Sequence, residues 1–227
     1  MSSASRKTGF TLIELLVVVS IIIIATTVLF VGVGDGGDGI KLSSAQRIVS
    51  SIAQGARGQA ILKNAETRLI IYSEENSDGD PEKWLRFFGI VYWGEDVDGN
   101  EGWLAATQGT FIPEGIYLNT DLSDNSSWAA PTMTLDYPRL KAGNNTVKAS
   151  GGGGETYYYY GFNSNGTMAT GFDNNWLVLQ AGTLKPPSEG GELEVDFSEP
   201  ENEGLKTALI FRRVGTTTMV TDPSEID

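Results

Sequence analysis

The chain contains no cysteine and no histidine among its 227 residues. The first absence removes any disulfide, so an exported fold must be held together by its core alone. The two absences together exclude Cys/His nucleophiles, the Ser-His-Asp triad and the usual zinc ligands. Carboxylate chemistry remains open, but no motif for it is visible, and the chain reads as a non-enzyme. Basic residues are also scarce: 16 Lys and Arg stand against 29 Asp and Glu, a formal net charge of −13. A field of that sign repels phosphate backbones, so nucleic acid is disfavoured as a partner.

Charge of either sign is scarcest near the N-terminus. From Phe10 to Val33 there are 24 residues and one formal charge, Glu14. As a helix this segment is roughly 36 Å long, against an apolar bilayer core of about 30 Å. Arg6 and Lys7 precede it and the next cation is Lys41, which predicts a cytoplasmic start and an exported remainder. A secretory signal fits poorly, because such signals have a shorter apolar core followed by a small-residue cleavage site. A plain anchor explains neither the Gly9-Phe10 junction nor Glu14, a carboxylate placed where one is costly and by default functional.

Gly9-Phe10-Thr11-Leu12-Ile13-Glu14-Leu15-Leu16 resembles the prepilin signal of type IV pilins and type II secretion pseudopilins. The resemblance implies that a membrane peptidase cuts after Gly9 and that Phe10 becomes the methylated N-terminus. It places Glu14 at the family's fifth-position glutamate, which acts in assembly. A buried carboxylate needs a partner, and in a filament the nearest cation is the free amine of a neighbouring subunit's first residue. The implied partners are prepilin peptidase, the bacterial inner membrane and other pilin or pseudopilin subunits. The implied location is a single pass of the inner membrane with the C-terminal head in the periplasm, then a pseudopilus or pilus. Removing Arg6 and Lys7 from the 16 basic residues leaves 14 against 29 acidic ones in the processed chain.

The expected organisation is α+β and pilin-like. Residues 1–9 form a cytoplasmic leader, 10–33 the membrane-spanning assembly helix, 34–39 a Gly-rich link, 40–64 an amphipathic helix and 65–227 an antiparallel β-rich globular head. Gly34-Asp35-Gly36-Gly37-Asp38-Gly39 breaks the helical pattern, as a hinge or as a local weakening. Ile48, Ile52, Ala56 and Ala60, flanked by Val49, Ala53 and Ile61, form an apolar stripe at helical spacing. Gly55 and Gly58 would let a sheet approach that helix closely. Beyond Asn64 the period changes to two. Strands are predicted at Thr67–Tyr72, Trp84–Trp93, around Gly109–Leu118, Tyr157–Phe162, Asn175–Leu179 and Thr207–Arg213. Residues 119–156 read mostly as loop, and 185–204 as an acidic insertion.

The helix-to-strand passage Ala56–Asn64, the Phe162-Asn163-Ser164-Asn165-Gly166-Thr167 segment and the strand pair Trp176–Leu179 and Leu209–Arg213, closed by Val214-Gly215, resemble H-type minor pseudopilins and their type IV pilus relatives (GspH/FimT-like). The long acidic insertions depart from that family's compact pattern. A relative in natural transformation systems binds DNA, and Arg212-Arg213 is an adjacent basic pair, set here in a strongly acidic chain.

Two segments place oxygen ligands on alternate residues around a Gly turn, as calcium requires: Asn76–Asp80, and Asp96, Asp98, Asn100 and Glu101. Neither has the EF-hand spacing, so the alternatives are a calcium site and a solvated turn; otherwise no cofactor is expected. In Tyr157-Tyr158-Tyr159-Tyr160, residues 157 and 159 face one side of a strand and 158 and 160 the other, so one pair is expected in the core and the other partly exposed. An exposed aromatic face would serve as a subunit contact or a sugar-stacking platform. The function expected is a structural one, a minor pseudopilin or minor pilin. A major pilin of an extracellular fibre and a filament-displayed adhesin binding glycan or another ligand are the alternatives.

Overall fold

In the computed structural model the described residues are 13, 15–20, 36–74, 79–123, 131–137, 148–150, 153–169, 175–185, 191–200, 202 and 204–222. They fall into two compact units, Met1–Gly39 and Ile40–Asp227.

Helix α1 spans Gly36–Lys63, so it starts four residues before the predicted position and takes in three glycines of the expected link. Asp38 lies in its first turn, where the helix dipole favours an acid. Neither Gly37 nor Gly39 has anything within 4 Å of a built Cβ, so no packing contact requires a glycine there. Its C-terminus is a Schellman cap. Asn64 takes φ 49°, Ala65 N–H donates to Ala60 O at 3.2 Å and Asn64 N–H to Ile61 O at 3.3 Å.

The buried stripe of α1 is narrower and finer than the expected one. Leu42, Ala45, Val49, Ala53, Ala56 and Ala60 are buried, while Ile48 and Ile52 pack at its margin and Ile61 is half exposed. Small side chains bring the helix backbone close to the sheets, and larger ones close the sides. Gly55 belongs to this approach, since its Cβ would lie 3.3 Å from Ile90 Cδ1; Gly58 faces open space, contrary to expectation.

Two antiparallel sheets meet the helix. The strands of the first are β1 (Thr67–Tyr72), β2 (Phe87–Glu95), β3 (Glu101–Ala105), β4 (Thr110–Phe111), β6 (Thr132–Leu135) and β7 (Glu155–Phe162). Their order is β3-β2-β1-β7-β6, with β4 also on β2. The second sheet is built from β5 (Ile116–Asn119), β8 (Asn175–Ala181), β11 (Lys206–Phe211) and β12 (Thr217–Val220), in the order β12-β11-β8-β5. A hairpin of β9 (Thr183–Lys185) and β10 (Glu194–Asp196) stands apart, and a single turn α2 (Thr120–Ser123) follows β5. The main core lies among α1 and the facing sides of both sheets, where Tyr160 stacks on Phe211 with centroids 4.4 Å apart. A second core of Ile70, Tyr72, Phe87, Val91, Leu135, Tyr137 and Tyr157 covers the other face of the first sheet.

The departures from the predicted strands have local causes. Asp80 caps a turn through Glu82 N–H on Oδ1 (3.0 Å), and Leu85 takes φ 52°, so β2 begins at Phe87 rather than Trp84. Pro113, which has no N–H, separates β4 from β5, and the single strand expected over 109–118 becomes two strands in different sheets. Within the expected loop, Thr132–Leu135 alternates outward Thr with Met133 and a fully buried Leu135, enough to add β6.

Candidate functional site

Gly9, Phe10 and Glu14 lie outside the described residues. In the neighbouring helical stretch Ile13, Leu15, Leu16, Val17, Val18 and Val19 are all exposed, whichever way each points. A helix that is apolar all round belongs in apolar surroundings, either a bilayer or a bundle of like helices. Among the described residues no helix is long and apolar enough to cross a membrane, and most of the expected span 10–33 lies outside them.

In the head, the two turns singled out in the C-terminal half meet at one residue of α1. Asn163 closes the first turn, with Gly166 N–H donating to its carbonyl at 2.7 Å. Gly215 N–H donates to Arg212 O at 2.7 Å in the second, and Met168 N–H joins the turns by donating to Arg213 O at 3.0 Å. Arg57 Nε donates to Gly166 O at 3.1 Å, tying both to the helix. Arg57 is therefore a structural tether. Arg212, of the basic pair, donates through Nε to Thr218 Oγ1 at 3.3 Å.

The β2–β3 turn brings Asp96, Asp98, Asn100 and Glu101 to one hairpin end, with Glu95 opposite Glu101 in register. Asp96 Oδ1 accepts from the N–H of Asp98 (2.9 Å) and of Asn100 (3.0 Å), and Oδ2 accepts from Ala149 N–H (3.2 Å). Asn100 Nδ2 also donates to both oxygens. Asp98 is ion-paired with Lys148. Both oxygens that would anchor a cation thus already hold protein donors, and among the described residues no group of three or more acidic side chains is arranged to hold a metal. In the other candidate segment, Asn76, Ser77 and Asp78 lie outside the described residues.

The Asn100 N–H, followed by those of Ala149 and Asp98, holds the Asp96 carboxyl down to about 2 from the ordinary 3.8. A folded-state value below the unfolded one means that ionised Asp96 stabilises the turn above pH 3.8, and that this contribution fades as pH falls through about 2. We expect the Asp96 carboxyl resonance to titrate near pH 2. In Asp96→Asn the protection of the Asp98, Asn100 and Ala149 amides, relative to their intrinsic exchange at each pH, should lose its pH dependence across that range.

Burial of the four tyrosines does not divide by face, because both faces of the first sheet are covered. Tyr157 and Tyr160, on opposite faces, are buried, and Tyr158 and Tyr159 are partly so. The outward face also holds an arrangement that sequence reading missed. Arg68 lies between two rings, its guanidinium carbon 4.3 Å from the Trp103 centroid and 4.0 Å from that of Tyr159. Trp103 meets Trp93 edge to face at 5.4 Å. The available signal was the acidic Gly turn at 96–100, which fixes a hairpin and sets Trp93 opposite Trp103.

Residues 4–30 match the family model of the prokaryotic N-terminal methylation motif. No curated protein sequence matches the chain significantly. A solved structure similar to it is that of the minor pseudopilin EpsH from the type 2 secretion system of Vibrio cholerae, at 12% identity and TM-score 0.38, covering 82% of this chain and 99% of that one. The chain carries a prokaryotic N-terminal methylation motif over residues 4–30, and its described head is α+β with antiparallel sheets.

Proposed function

We propose that the protein is a minor pseudopilin or minor pilin: a precursor inserted in the inner membrane, cut after Gly9, methylated on Phe10 and built into a pseudopilus or pilus through its N-terminal helix. The observation that carries this reading is the methylation motif over residues 4–30, in which a single carboxylate, Glu14, interrupts an apolar run. Export and membrane retention follow from that run and the cations before it. The head contributes surface rather than chemistry in this role. Its partners are prepilin peptidase and other subunits of the filament.

Processing is the direct test. Mass spectrometry of the membrane-extracted protein should find Phe10 at the N-terminus with one added methyl group. Assembled protein that retains Met1 to Gly9 would exclude the reading. For the β2–β3 turn we propose a structural closure held by its own donors. Millimolar calcium should then leave the melting temperature unchanged, whereas a ligand selective for the native state would raise it.

A further inference from the structure

Alternation along β2 and β3 puts Trp93 and Glu95, with Trp103 and Glu101 opposite them, on one face of the hairpin. Two features of this face work against the stability of the isolated chain. Trp93 is 43% exposed although a large aromatic side chain gains most when buried. Glu95 and Glu101 are exposed and directly opposed, and like charges at such a pair destabilise a sheet. Among the described residues neither carboxylate has an ion-pair or hydrogen-bond partner. The nearby Lys148 is paired with Asp98, and Arg68 with Glu66 at 2.8 Å.

The chemistry that resolves both features at once is a cation. An indole face attracts a guanidinium or ammonium through its quadrupole, and flanking carboxylates add charge-assisted hydrogen bonds. This same face already holds one guanidinium in that manner, Arg68 on Trp103 and Tyr159. Among the described residues it leaves Trp93 as an exposed ring with no cation against it, and the two glutamates beside it without a neutralising cation. We infer that the outward face of the β2–β3 hairpin is a docking surface for an arginine-bearing segment of a partner protein, with Trp93 as the stacking platform and Glu95 and Glu101 as the acceptors. A sugar would use the ring but has no need of opposed carboxylates, so the charge decides for the basic partner. The inference stands independently of filament assembly, since it uses head residues alone.

The test is calorimetric titration of the full chain in neutral detergent with a hexa-arginine peptide, and with a neutral hexasaccharide as the second probe. Wild type should bind the peptide at one saturable site. Trp93→Ala, which leaves the charge unchanged, and the double variant Glu95→Gln/Glu101→Gln should each weaken it about tenfold or more. A double variant removing the same charge elsewhere, Glu82→Gln/Asp121→Asn, should stay within about twofold, as remote rim charges do. Melting curves of the variants matching wild type would confirm that folding is intact; the glutamine pair removes no packing, so it decides if Trp93→Ala is destabilised. Equal peptide affinity across all four proteins would reduce the binding to bulk charge attraction and overturn the proposal. So would no peptide binding, or saccharide binding that Trp93→Ala abolishes while peptide binding survives.

Discussion

Gly215→Ala should unfold the head under conditions where the wild type is fully native. Gly215 takes φ 80°, in a region that costs an L-residue roughly 1–2 kcal/mol. Steric overlap costs more: a Cβ there would lie 1.9 Å from Gly166 O and 3.1 Å from Arg57 Cδ. Gly166 cannot retreat freely, because it too is at positive φ and its own Cβ position is 2.7 Å from Ile61 Cδ1. The two turns must separate, which breaks the Met168–Arg213 hydrogen bond and pulls Gly166 O from Arg57. The combined loss should exceed about 4 kcal/mol, a size reached by few single substitutions. Gly204→Ala is the control, with φ 83° and nothing within 4 Å of the added carbon. It should cost only the conformational part, roughly 1–2 kcal/mol. Thermal unfolding followed by tryptophan fluorescence compares them, and similar midpoints for the two variants would refute the overlap as the cause.

Glu14→Val should leave synthesis, membrane insertion and cleavage after Gly9 intact while sharply reducing incorporation into the filament. The leader and apolar length are unchanged, so the substitution preserves what the peptidase and the bilayer read. It removes the carboxylate expected to meet the Phe10 ammonium of an adjacent subunit. Such a pair contributes little in itself once desolvation is counted, but leaving one member alone typically costs about 3–5 kcal/mol. Glu14→Asp keeps the charge on a stem one methylene shorter and should do partial harm. Quantifying processed protein in membrane and filament fractions distinguishes the three variants. Wild-type incorporation of Glu14→Val would reduce the segment to an anchor.

What could be read in advance depended on whether a single segment contained its own reason. Thr67–Tyr72 was recoverable to the residue because a run rich in β-branched and aromatic side chains is a strand in any sheet. The methylation motif over residues 4–30 was likewise complete in itself. Other features depended on distant partners. Residues 217–220 become β12 only because β11 offers them an edge, and β10 is made by its pairing with β9. Ala45 and Leu42 are buried, and Ile61 is not, because the sheets meet α1 on a row of small residues that hydrophobicity alone does not mark. The oxygens around Asp96 left a cation site and a solvated turn as alternatives; the Ala149 donor, far along the chain, is the partner no local pattern contained.

The place where α1 passes into β1 has a mechanical consequence. A pull applied through the helix enters the head at Asn64 and reaches Thr67 three residues later. That strand is central, paired over five positions with β2 and over six with β7. Load arriving there is divided between two ladders, so no single row of hydrogen bonds opens one at a time, as would happen at a border strand such as β12. A chain drawn along α1 is thus gripped at a strand held on both sides, and extraction must strain both flanking strands together.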